Sequence, residues 1–235
     1  MEEEQEAEAT PEFRSIDFSA TLYWDLAATA AQRSRDVNAA NPGQVTRDSI
    51  VAILMSAVAA EAFINELPMM ICATHMDRAG LRVTLGGRTW IGISDTIAAL
   101  ENESTQILGK YMISSVLLPG DPLRKDKQPY ADFVRLVGLR NALVHQKPVT
   151  DPPMRSNAAS PLKVIADFEQ RKWTFGRGDA SITSWITKVQ TPEIARWACR
   201  TASAIILNIL DRLGDLADPM DRVWYQTRTD PRISD

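Results

Sequence analysis

Between Ser49 and Cys72 the chain is apolar on nearly every face that a helix could present, interrupted only by Glu61, Asn65 and Glu66. A helix with a single apolar stripe can lie on the surface of a fold, whereas one that is apolar all round must be enclosed by neighbours. The segment therefore predicts the central helix of a bundle. Thr46 suits its N-cap and Asp48 its first turn. Pro68 lacks an N–H and is expected to kink the helix or to start a new one.

The flanking sequence also reads as helical. A first helix is predicted over Asp17–Val37, with Leu22, Leu26 and Ala30 on one stripe and Tyr23 and Trp24 beside it, before Asn41-Pro42-Gly43 breaks it. Strand-like alternation occurs only at Leu81–Leu85, followed by Gly86-Gly87, where a short hairpin or an irregular loop fits equally well. Further helices suit Ile93–Glu103, Thr105–Leu118 and Pro129–Gln146, the last with Phe133, Leu136, Val137 and Leu143 or Val144 turned inward. Pro148, Pro152 and Pro153 open a connection of low periodicity over 149–190, containing a short helix at 161–170 and aromatic anchors at Trp173, Phe175 and Trp185. Thr191-Pro192-Glu193 has an N-cap followed by a first-turn proline, and predicts a final helix from Pro192 to about Leu216.

The fold class expected is all-α: one helical bundle of about five to seven helices over residues 15–218. An acidic tail at 1–14 precedes it and a polar tail at 219–235 follows. A chain of 235 residues that is 45% apolar and 24% charged has ordinary globular composition. Its formal charge of −4 gives no global basic field, so contact with a polyanion would need a local patch. Cys72 and Cys199 lie in apolar helical stretches and read as small buried hydrophobes. No basic, then apolar leader is visible, and no uncharged apolar run of about 18 residues is found. The expected setting is the cytoplasm, without a membrane span.

The chain contains only two histidines, His75 and His145, and histidine is the side chain best suited to proton transfer near neutral pH. His75 has no motif around it. His145 ends the run Arg140-Asn141-Ala142-Leu143-Val144-His145, in the last turns of a predicted helix that Pro148 forces to stop. An imidazole moves protons to or from oxygen, and a guanidinium fork stabilises charge building on phosphoryl oxygens. That combination suits phosphodiester chemistry without a metal. Residues five apart lie about 140° apart around a helix, so Arg140 and His145 share no face, whereas Asn141 and His145, four apart, do. Asn141 is therefore expected to orient His145 by a hydrogen bond. Arg140 reaches the same cleft by its length or faces its counterpart across a symmetric dimer.

An arginine, a polar residue, and a histidine shortly after, placed at the end of a helix, resemble the motif of HEPN domains, the all-α "higher eukaryote and prokaryote nucleotide-binding" bundles. The helix holding Glu61 and Asn65, and the terminal TPEIARWACRTASAIILNIL, are also similar to helices of that family. The resemblance implies a metal-independent endoribonuclease, with no cofactor, acting as a homodimer whose two motifs line one cleft. Such an enzyme is often a toxin restrained by an antitoxin or nucleotidyltransferase partner, or part of an anti-phage system. Arg140 and His145 would then be catalytic, with Asn141 supporting them. The ribose 2′-hydroxyl would attack the adjacent phosphate, leaving a 2′,3′-cyclic phosphate and a 5′-hydroxyl, and DNA would survive. Glu61 and Asn65, one turn apart, either buttress the motif or satisfy a buried network. Lys147, Arg135 and Lys110 could form a basic rim for RNA. The alternative is a non-catalytic helical dimerisation or partner-binding module with a vestigial motif.

Overall fold

The computed structural model describes residues 19–76, 84–85, 88–102, 106–145, 161–176 and 184–214. Eight helices occur among them: α1 (Ser19–Ala40), α2 (Arg47–Met76), α3 (Trp90–Asn102), α4 (Ile107–Leu117), α5 (Tyr130–Val144), α6 (Pro161–Gln170), α7 (Trp185–Lys188) and α8 (Pro192–Leu213). A two-residue hairpin, β1 (Thr84–Leu85) and β2 (Arg88–Thr89), pairs Thr84 with Thr89 ahead of α3. The molecule is an all-α bundle. The tails at 1–14 and 219–235 lie outside the described residues, as do Gln146 and Lys147.

The apolar helix is the hub. α2 packs against α1, α3, α4, α5 and α8, and its Ala52, Ile53, Ala59, Ala60, Ile64 and Leu67 are wholly buried. Its start is set by Thr46, whose hydroxyl oxygen accepts the Asp48 N–H at 3.1 Å. Pro68 does not end it. The helix runs through to Met76, with Leu67 and Ile71 buried on either side of the proline and the Pro68 carbonyl accepting from the Ser94 hydroxyl of α3 at 3.0 Å. Lateral packing keeps the helix continuous although the proline removes one helical hydrogen bond. The stretch Arg47–Ile71 is long and apolar enough to cross a membrane by length and composition, although Glu61 and Glu66 keep it from being an uncharged run. Half of its most apolar window is buried inside the bundle.

α1 buries only part of the stripe expected. Ala30 is buried, but Leu22 and Leu26 are 58% and 45% exposed, while Ala20, Trp24, Ala27, Ala28, Ala31 and Ser34 turn inward. The small side chains bring α1 close against α2, close enough for the Ser34 and Ser49 hydroxyls to hydrogen-bond at 2.7 Å. At the other end of the pair, Glu66 of α2 caps α1. One carboxylate oxygen accepts from the Ser19 N–H at 2.8 Å, the Ser19 hydroxyl at 2.6 Å and the Ala20 N–H at 3.2 Å. An anion at a helix N-terminus meets orphan amide donors and the positive end of the dipole.

α8 closes the core from the predicted start. Thr191 caps it by accepting the Ile194 N–H at 3.3 Å, Pro192 occupies the first turn, and Ile194, Ala198, Ala202, Ile205 and Ile209 have no exposed surface. The short helix expected at 161–170 is α6, and the expected inward residues of α5, Phe133, Leu136, Val137 and Leu143, are buried while Val144 is exposed. α7, inside the connection of low periodicity, was not anticipated.

Candidate functional site

The motif occupies the C-terminal end of α5. Arg140 and Asn141 are helical, the helix closes at Val144, and His145 is the C-cap, with φ −105° and ψ 48°. The His145 N–H donates to the Asn141 carbonyl at 2.9 Å, and its side chain is exposed. Leu143, buried in the core, anchors the last turn and leaves the polar residues to face outward.

Arg140 is engaged twice. One guanidinium nitrogen lies 3.4 Å from a carboxylate oxygen of Glu61 on α2, and another donates to the Asn141 Oδ1 at 3.0 Å. The expected hydrogen bond from Asn141 to the His145 ring is thus replaced, among the described residues, by one from the Arg140 guanidinium.

Glu61, Arg140 and Asn141 line one wall of a groove between α2, the start of α4 and α5. The groove encloses about 380 Å³, and its apolar wall includes Ile107, Leu108 and Val137. Gly138 adds no side chain on that wall. His145 lies one turn beyond Asn141 in sequence and is not among the groove-lining residues. Among the described residues, no group of three or more His, Cys, Asp or Glu side chains is placed to hold a metal ion.

Behind Glu61 stands a second pair. The Lys110 ammonium of α4 donates to the Asn65 Oδ1 at 2.8 Å, and Lys110 retains 7% of its surface. Burial pushes the Lys110 pKa below its ordinary 10.5, opposed by the charge of Glu61. Glu61 and Asn65 therefore buttress two cations from one face of α2: Glu61 meets Arg140, and Asn65 holds Lys110. Lys110 is not part of an exposed basic rim. Arg135 is also elsewhere, bound to Asp132 at 2.7 Å and close to Asp167 of α6 at 3.6 Å. Lys147 lies outside the described residues, and so do the side chains of His75 and Cys72, although both residues belong to α2. The start of α4, which walls the groove with Gln106, Ile107 and Leu108, went unrecognised in the sequence because nothing local marks an apolar wall as part of a site.

The chain matches no family model, no curated protein and no solved structure.

Proposed function

We propose that this protein is a metal-independent endoribonuclease whose reactive groups are Arg140 and His145. The observation that carries this reading is that Arg140 stands on the wall of an open groove, positioned by Glu61 and Asn141, while the exposed imidazole of His145 ends the same helix. Both groups are accessible to a substrate. In the reaction, the ribose 2′-hydroxyl attacks the neighbouring phosphorus as its proton is drawn off, and the 5′-oxygen leaves with a proton. The imidazole of His145 is the proton-transfer group. Arg140 stabilises the charge gathering on the phosphoryl oxygens. Products carry a 2′,3′-cyclic phosphate and a 5′-hydroxyl. The working form is a homodimer in the cytoplasm that brings two α5 ends to one cleft, restrained by an antitoxin or nucleotidyltransferase partner.

The test is incubation of the purified chain with structured RNA in EDTA. Cleavage with cyclic-phosphate ends, abolished by Arg140→Ala and by His145→Ala and absent on the matching DNA, is the expected result. Intact RNA with the wild-type protein overturns the reading and favours the partner-binding alternative, for which the engagement of Arg140 by Glu61 is the supporting observation.

A further inference from the structure

α2 meets two cations, and the contact that is formally an ion pair is the looser of the two. Arg140 of α5 stands 3.4 Å from the Glu61 carboxylate, beyond the distance of about 2.7–2.9 Å usual for a charge-assisted hydrogen bond. Lys110 of α4 meets the neutral Asn65 Oδ1 at 2.8 Å. Glu61 and Asn65 are one turn apart on the same face of α2, with roughly 5–6 Å between their Cβ atoms. The carboxylate of Glu61 therefore answers to a cation from α5 and another from α4.

Lys110 is buried, and a buried ammonium is unfavourable where a methionine would fill the same space without desolvating a charge. The Glu61 charge offsets part of that desolvation. The attraction is mutual, so Lys110 draws the Glu61 carboxylate toward α4 while Arg140 draws it toward α5. Asn65 keeps the ammonium from passing wholly to Glu61 by accepting from it. On the other side, Asn141 takes one guanidinium nitrogen of Arg140 at 3.0 Å. A second tight bond, to Glu61, would leave Arg140 poorly placed to turn toward a ligand in the groove. The stretched contact leaves it oriented but releasable.

We infer that Lys110 is a positioning residue of the groove, whose buried ammonium draws Glu61 back from Arg140 and so keeps the guanidinium free to grip an anion. The inference rests on the proposed role of Arg140 as the group that meets the scissile phosphate. Lys110 touches no substrate and acts only through Glu61. Removing its charge lets Glu61 close on Arg140. Removing the Asn65 amide has the opposite effect, because the ammonium then turns to Glu61 and takes it further from Arg140. A merely structural role for Lys110 gives no such pair of opposite responses.

The state of the guanidinium is readable without RNA. Its rotation about the Cζ–Nε bond, measured by NMR from exchange between the two Nη resonances of the full chain and assigned with Arg140→Lys, slows as the pair with Glu61 tightens. Lys110→Met is expected to slow it by about fivefold, the scale of one part-exposed ion pair, and Asn65→Ala to speed it. In a Glu61→Gln background, adding Lys110→Met should change nothing. With structured RNA as substrate, Lys110→Met should raise KM by about fivefold. Asn65 is exposed, so Asn65→Ala keeps the test open if Lys110→Met fails to fold. Equal rotation rates in the wild type and both single variants, or a slowing by Lys110→Met that persists beside Glu61→Gln, overturns the inference. If the wild type leaves RNA intact, the proposed reaction falls, while the rotation rates still decide whether Lys110 governs Arg140.

Discussion

The Arg140 and Glu61 side chains that approach to 3.4 Å are 29% and 44% exposed, and an ion pair that open to water contributes on the order of 0–1 kcal/mol to folding. Glu61→Gln keeps an acceptor oxygen and removes the charge, so the unfolding free energy in urea is expected to change by no more than about 1 kcal/mol. If Glu61 positions the guanidinium for reaction, RNA cleavage by the same variant falls by about tenfold or more, since small displacements of a reacting group are costly. Loss of stability and activity in proportion would reduce Glu61 to a structural residue. Lys110 is a different case because it is buried. Its pKa in the folded chain is lowered from 10.5 chiefly by desolvation. Between that lowered value and 10.5, the unfolded chain holds a proton that the folded chain has released, so stability rises with pH across this window. Urea unfolding of wild type and Lys110→Met from pH 7 to 10.5 should therefore show the difference moving in favour of the wild type as pH rises. A difference that stays flat would mean that the ammonium is solvated.

At the scale of the element, α1 makes the sharpest contrast between pattern and packing. The exposed Leu22 and Leu26 should tolerate Gln with a change within about 0.5 kcal/mol. Ala28→Leu or Ala31→Leu, both buried in the core, should cost about 1–3 kcal/mol through overpacking. Guanidinium unfolding of the four variants checks this, and the reverse order would restore the leucine stripe as the buried face. The leucine spacing was legible in the sequence, but the helix buries its alanines because close approach to α2 wins more contact than two larger side chains on the wrong side. Helix ends set by local chemistry were equally legible: Thr46 and Thr191 cap α2 and α8 as their sequences imply. What escaped depends on distant residues. Pro68 reads as a kink or a new start but sits between buried neighbours in a continuous α2, and the cap on α1 is Glu66, which lies 47 positions from Ser19. The candidate site divides the same way. Arg140, Asn141 and His145 stand out as a string, whereas the Arg140–Glu61 contact and the α4 wall of the groove appear only when three helices meet.

For the molecule as a whole, the α2–α8 contact ties the helix that supplies Glu61 to the groove to the helix that closes the core. Their crossing is dry. Ser56 donates to the Cys199 sulfur at 3.5 Å, and neither residue has any exposed surface. A thiol reagent can reach Cys199 only after α8 leaves α2, and the same separation exposes Ala202, Ile205, Ile206 and Ile209, a loss of apolar burial that the rest of the bundle has no means to replace. In a Cys72→Ala background, modification of Cys199 in native buffer should be slower than in the denatured chain by on the order of a thousandfold or more. Its rate should also rise with urea as steeply as the global unfolding constant does. Rapid modification with no dependence on urea would mean that α8 detaches alone, and the bundle would then be two separately folding parts instead of one cooperative core.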